Sequence, residues 1–262
     1  MLFRSFAQHR TKILEWEFPT TKIRYNSPYC SINHLKLLET VEARFSDKIS
    51  IINDKIKDVH AGSDSVTISL NKGSEIRSKI FIDACGYQSI LNAKYNCNNQ
   101  SPIYQMLVWK YPIINGYDNS VNNIWYKPRE LYHNGIFDLN DRVAGWFHPV
   151  SDGVIIGASK YQFKPINPQK LTKMLTPYLQ AYIKTRKLVP EGEREVYQGI
   201  GVLYNPHHQL KINRILQVGY ARRFSRPATG NGFVPGFWNV LFESMASYFA
   251  LSNKNYTWRD LY

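Results

Sequence analysis

Cysteine is scarce in this chain of 262 residues: Cys30, Cys85 and Cys97 are the only three. An odd count at these spacings argues against a disulfide framework or a zinc site, and it fits a reducing, cytoplasmic setting. No block of five or more like charges occurs, which argues against a nucleic-acid-binding tail. The opening Met-Leu-Phe-Arg-Ser-Phe-Ala-Gln-His-Arg10 is basic but lacks the apolar stretch of a secretory signal. The most apolar window, residues 232–251, contains Pro235 and is broken by Asn239, Glu243, Ser244 and Ser247, so a buried helix is expected there rather than a membrane span. Neither an internal repeat nor a low-complexity linker is present.

An apolar fraction of 44% with 14% aromatics is enough for a sizeable core and excludes a disordered chain. Lys and Arg number 33 against 20 Asp and Glu, a formal charge of +13 that favours anionic partners such as a membrane surface or phosphorylated ligands. Charge is all that supports a nucleic-acid partner, so none is expected.

Periodicity organises the rest. Leu35, Leu38, Val41 and Phe45 predict a helix over 33–45 with Asn33 as its cap, and residues 49–52 read as a short strand. A hairpin follows, with Ser65–Leu70 and Glu75–Lys79 joined at Asn71–Gly73. Ile80–Ile82 is a continuous apolar run, typical of a strand buried on both faces. Beyond residue 100, aromatic and β-branched segments (Tyr104–Tyr111, Asn123–Tyr126, Gly153–Ala158) predict an antiparallel sheet. Leu171, Leu175, Leu179 and Ile183 predict a helix over 168–186, Arg214–Val218 a buried strand, and residues 236–251 a last helix.

Three segments carry chemistry. In the first, a buried strand delivers Asp83 and then Gly86, where the chain must turn closely. In the second, Gly219, Gly230 and Gly232 let backbone approach a ligand, the amides of residues 229–233 face an anion at a helix N-terminus, and Arg222, Arg223 and Arg226 add positive charge. The third is a hairpin formed by Ala144–Pro149 and Ser151–Ala158. Other tempting residues read as structure: adjacent His207 and His208 suggest no third metal ligand, Cys85 reads as a small core residue, and Cys97 as exposed.

In order, the three resemble FAD-dependent oxidoreductases of the geranylgeranyl reductase and lycopene cyclase type. Ile82-Asp-Ala-Cys-Gly86 with Ser89 is similar to the family's I-D-A-x-G-x-x-S segment. Trp146-Phe-His-Pro149 with Val154 and Gly157 is similar to its W-x-F-P and V-x-x-G pair. Val218-Gly219, Ala221, Pro227, Thr229-Gly230 and Gly232 are similar to V-G-D-A-A … P-x-T-G-x-G.

The resemblance implies an α/β (α+β) FAD/NAD(P)-binding flavoprotein-like fold with an antiparallel substrate-domain sheet. Its domains would be residues 1–100 (partial FAD-binding), 101–200 (sheet) and 201–262 (return to the FAD-binding domain). It implies FAD held at Asp83, Gly86, Gly219, Tyr220, Pro227, Thr229, Gly230, Asn231, Gly232 and Phe233. It further implies a small hydrophobic substrate, prenyl or carotenoid-like, against Trp146, Phe147 and His148, with hydride passing to a double bond and no metal. Two departures accompany it. The G-x-G-x-x-G unit that opens the family, an N-terminal βαβ, is not found in the sequence. The Asp expected after Gly219 is Tyr220, which is not an ionised acceptor at neutral pH. Open readings are therefore an incomplete enzyme, a protein completed by a partner chain that supplies the missing unit, a non-catalytic lipid- or protein-binding derivative, and a lycopene cyclase-like isomerase. Peripheral membrane attachment fits a hydrophobic substrate.

Overall fold

The computed structural model describes residues 7–18, 21–32, 34–95, 103–126, 143–150, 152–202, 210–222 and 233–257. Readings above that rest on Asn33, Cys97, His207, His208, Arg223, Arg226, Pro227, Thr229, Gly230, Asn231 or Gly232 lie outside these residues. In chain order the elements are β1 (Ala7–Glu17), β2 (Lys22–Ile32), α1 (His34–Phe45), β3 (Ile56–Ala61), β4 (Val66–Leu70), β5 (Glu75–Ser78), β6 (Phe81–Asp83) and α2 (Ile90–Lys94). There follow β7 (Ile103–Tyr111), β8 (Ile113–Asn115), β9 (Val121–Tyr126), β10 (Val143–Val150), β11 (Gly153–Gln162) and α3 (Pro168–Thr185). The last are β12 (Val189–Glu191), β13 (Glu195–Val202), β14 (Ile215–Gln217) and α4 (Phe233–Asn253).

Two compact units divide the chain. One comprises Met1–Ile51, Gln105–Tyr161 and Ile166–Gly199, the other Ile52–Tyr104, Gln162–Pro165 and Ile200–Tyr262. The start of the chain thus groups with the large sheet, where the sequence reading had grouped it with the nucleotide-fold segments.

The first unit is built on a mostly antiparallel seven-stranded sheet in the order β13-β7-β11-β10-β9-β1-β2. Its N-terminal hairpin, β1 with β2, escaped the sequence reading. β1 is held by a partner about a hundred residues away, running parallel to β9 with Glu15 opposite Asn123 and Trp16 opposite Ile124, and a local pattern does not report such a pairing. α3 covers one face. Asn167 caps it by accepting from Gln169 N at 2.8 Å, and Pro168 occupies the first turn, where a missing N–H costs nothing. Leu171, Leu175, Leu179 and Tyr182 then bury against Trp109, Trp125, Phe147 and Ile156.

Close packing there depends on a glycine. Trp125 stacks on Tyr182 with ring centroids 5.4 Å apart, and its indole lies flat across Gly145, where a Cβ would stand 1.9 Å from the ring. α1 forms as predicted, yet its apolar stripe faces outward: Leu38 is 57% exposed, and Val41 and Phe45 are exposed too.

The second unit holds the predicted hairpin, extended by β3 to a three-stranded sheet in which Val59, Ile68 and Ile76 lie in one row. Val66, Leu70, Phe81, Leu91 and Ile215 share its core. Residues 49–52 form no strand, and Ile49, Ile51 and Ile52 are exposed. β-propensity without a neighbouring ladder is not enough. β6 pairs in parallel with β14, Phe81 opposite Ile215 and Asp83 opposite Gln217. Burial of β6 on both faces is not observed, since Ile82 is 46% exposed. Arg214, read as strand, instead turns the chain into β14 at φ +66°. Its guanidinium holds the Ser63 and Lys79 carbonyls and lies 4.2 Å from the Tyr256 ring centroid. No helix among the described residues is long and apolar enough to cross a membrane.

Gly145→Val drives a side chain into the Trp125 indole. It is expected to lower stability by about 1–3 kcal/mol, the usual cost of overpacking, read as a lower urea midpoint at unchanged slope.

Candidate functional site

In the second unit the parallel pair places two strand ends side by side, the location at which open α/β sheets bind nucleotides. Each end breaks into a left-handed glycine, Gly86 at φ +65° and Gly219 at φ +58°. Side chains resist that conformation, so the residue type follows from the turn. Among the described residues, a Cβ at Gly219 would meet nothing within 4 Å and one at Gly86 only Tyr220 Cβ at 4.0 Å, so these residues leave the backbone open at both exits.

A buried polar bracket fixes these ends. Asp83 is fully buried; its Oδ2 accepts from Ser89 Oγ at 2.5 Å and Gln217 Nε2 at 3.0 Å, and its Oδ1 from the Cys85 amide at 3.0 Å. Ser89 caps α2 by accepting from Asn92 N. Asn92 in turn donates to the Ala221 carbonyl at 2.8 Å and accepts from Gln217 at 3.0 Å. Asp83, expected to touch a cofactor, therefore spends both oxygens on the turn and positions Gly86.

Beyond β14, Asn239 of α4 accepts from the Gly219 amide at 3.0 Å and donates to Glu243 at 3.1 Å, and Glu243 pairs with Arg222. Glu243 is 3% exposed, and its Oε2 has no hydrogen-bond partner among the described residues. Tyr220 bonds hydroxyl to hydroxyl with Tyr104, whose ring it meets edge-on at 6.4 Å. Cys85 is exposed rather than in the core; partial burial, then the Asp83 charge, pushes its thiol up to about 11, so it stays protonated at neutral pH.

The face of the first unit's sheet opposite α3 is the more open one: Ile23 and Tyr25 on it are exposed, Trp16, Trp146 and His148 are half-buried, and Asn122 is buried. One row across it runs Ile23, Trp16, Ile124, Trp146, Gly157. Gly157 lets the Trp146 indole lie flat, since a Cβ there would stand 2.2 Å from the ring. A neighbouring row contains Tyr25, Leu14, Asn122, His148 and Ile155. Trp16 Nε1 donates to the Tyr25 hydroxyl at 2.8 Å, and His148 Nδ1 lies 3.0 Å from Asn122 Oδ1. Of the three residues expected to face substrate, Trp146 and His148 stand on this face. Phe147 does not: strand alternation turns it into the core, fully buried beside Tyr117 and Tyr182.

Sequence reasoning missed Asn92, Gln217, Asn239 and Glu243, and on the open face Trp16 and Asn122. The signal for Asn239 and Glu243 was their i, i+4 spacing in an apolar helix, and the rest depend on pairing between distant strands.

No family model matches the chain, and no curated protein matches it. Solved structures do. A geranylgeranyl bacteriochlorophyll reductase-like protein from Thermoplasma acidophilum superposes with a TM-score of 0.75 at 15% identity, over 98% of this chain and 66% of that one. The halogenase PltM in complex with phloroglucinol and FAD gives 0.66 at 12% identity, over 97% of this chain and 56% of that one. HpxO from Klebsiella pneumoniae, complexed with FAD and uric acid, gives 0.58 at 12% identity, over 92% of this chain and 64% of that one. The chain has the FAD-binding flavoprotein fold. It spans 66% or less of the length of each of these three proteins.

The strand ends fit an anionic dinucleotide in this flavoprotein-fold chain. Among the described residues, the backbone is open at Gly86 and Gly219, Asp83 spends its oxygens inside the bracket, and Glu243 is countered by Arg222.

Burial pushes His148 down to about 4, against a weaker opposing bond to the Phe147 backbone. With the folded value below the ordinary 6.5, the unfolded chain binds the extra proton between these values. His148 therefore contributes stability that is full above pH 6.5 and is lost as pH falls towards 4. Urea midpoints across that window should fall more steeply for the native chain than for His148→Gln. Equal slopes would place the ring in solvent.

Proposed function

We propose that this chain forms part of an FAD-dependent oxidoreductase that acts on a hydrophobic substrate of prenyl or carotenoid-like character. The observation that carries the reading is the juxtaposed ends of β6 and β14, each opening through a left-handed glycine and locked by the Asp83–Ser89–Gln217–Asn92 bracket. Gly86, Gly219 and Tyr220 would hold the cofactor there, together with Pro227, Thr229, Gly230, Asn231, Gly232 and Phe233 on the approach to α4. FAD, once bound and reduced by an electron donor, would supply hydride to a substrate double bond. The protein would orient the reactants: Trp16, Ile124 and Trp146 present an apolar wall, with His148, bonded to the buried Asn122, as a polar group beside it. His148 is neutral at pH 7, which suits a wall for an uncharged chain.

A second reading, a lipid- or protein-binding derivative without flavin chemistry, is favoured by the Tyr220–Tyr104 pair, because a phenol stands where the resembled family has a carboxylate.

An absorbance spectrum of the purified chain, before and after incubation with FAD and desalting, separates the two. The oxidoreductase reading expects retained flavin bands, lost at least tenfold in Gly219→Val, where a branched side chain is strained at positive φ. A native chain that retains no flavin yet binds a prenyl alcohol supports the derivative instead. Under either reading, Trp146→Ala should weaken prenyl alcohol binding about tenfold, roughly the loss of one large aromatic contact, as followed by tryptophan fluorescence.

A further inference from the structure

The β1–β2 hairpin is fastened to its unit by polar groups rather than by apolar packing. Among the described side chains, the core beneath α3 is filled from Leu107 onwards and takes nothing from β1 or β2. What β1 sends to that side is Glu15 and Glu17, of which Glu17 is 3% exposed. Asn123 of β9, itself buried, donates to Glu15 at 2.8 Å and to Glu17 at 3.4 Å, and its Oδ1 accepts from the Tyr182 hydroxyl of α3 at 2.8 Å. Arg186, just beyond α3, pairs with Glu17, and Lys22 of β2 lies 3.3 Å from Glu15.

Among the described residues, a single ladder joins the hairpin to the rest of the sheet: β1 pairs with β9 over Ile13–Glu17, and β2 is the outermost strand. Each hydrogen bond or ion pair replaces a bond to water at small net gain, and a buried pair contributes register more than strength. Segments with few buried apolar contacts open at a lower free energy than the domain as a whole.

The hairpin also carries half of the more open face. Leu14, Trp16, Ile23 and Tyr25 stand on it, while Ile124, Trp146 and His148 stand on β9 and β10. Parting β1 from β9 therefore divides the apolar wall between Trp16 and Ile124, which are opposite in register.

We propose that the β1–β2 hairpin is a lid: it parts from β9 as a unit, admits an apolar ligand to the face, and is held shut by a ligand that touches Trp16 and Trp146 together. The ligand step rests on the apolar-wall reading of the proposed function; the opening is tested without a ligand. A ligand that contacts both halves binds the closed form, so it suppresses opening.

Hydrogen exchange of the 262-residue chain, read residue by residue by nuclear magnetic resonance, is the test. In the native sheet β1 lies between two strands, so a rigid sheet would protect it as well as β10. The expected result is that β1 amides that donate to β9, Ile13 among them through Ser120 O at 3.1 Å, exchange about tenfold or more faster than those of β10, β11 and α3. Glu17→Gln leaves Arg186 without its counter-charge and should speed the hairpin about tenfold further, with β10, β11 and α3 unchanged. Lys22→Gln, milder because Lys22 is 42% exposed, should act in the same direction by a smaller factor. A prenyl alcohol at about a hundred times its Kd should slow the same β1 amides by about a hundredfold. Three results would overturn the lid: β1 amides that exchange at the rate of β10, variants that shift every segment alike (a structural role only), or bound prenyl alcohol that leaves β1 exchange unchanged. A chain whose hairpin opens but which binds no prenyl alcohol would count against the apolar-wall reading and not against the opening, so the two fail separately.

Discussion

One buried carboxyl group sets the geometry on which the second unit depends. Asp83 lies at the end of a strand with no access to solvent, and a polar group there is tolerated only when its hydrogen bonds are made. The Cys85 amide, Ser89 and Gln217 make them, and each ties a different piece of chain to the same point: the turn after β6, the cap of α2 and the end of β14. The parallel register and the adjacency of Gly86 and Gly219 follow. Because the bracket spans residues 83 to 217, losing any member would leave other buried groups unpaired, a larger cost than the net worth of one bond.

The first unit solves a related problem with glycine and tryptophan. Gly145 and Gly157 lie on β10 and on its partner β11, and each opens room for an indole on one side of the sheet. Trp125 fills the covered side and Trp146 the open side. One tightly packed hairpin thereby supports a core beneath α3 and an apolar wall on its other face. Carboxylates complete the inversion. Glu15 and Glu17 of β1 point to the core side, where Asn123, Lys22 and Arg186 receive them, which leaves Leu14 and Trp16 for the open face.

Polar-inward, apolar-outward patterning thus recurs, in β1 and in α4. In a self-contained domain such a pattern is costly, because water is ordered around exposed rings and buried polar groups must be satisfied. A surface that another molecule covers does not bear that cost.

What the sequence by itself determined is what local chemistry decides. The 3.6-residue period of Leu171, Leu175 and Leu179, the turn at Asn71–Gly73, the strands around Asp83 and Gln217 and the glycines that end them were all legible, because each is dictated by backbone sterics and by the spacing of a few neighbours. The resemblance carried by three short segments pointed to the flavoprotein fold that the superpositions show. Tertiary structure alone decided the rest. The β1–β2 hairpin, the separation of Phe147 from Trp146 and His148 between two faces, the recruitment of Asn92, Gln217, Asn239 and Glu243 to the strand ends, and the outward turn of α4 each depend on a partner far away in the chain. Register and burial are properties of pairs, and a single segment does not contain its partner.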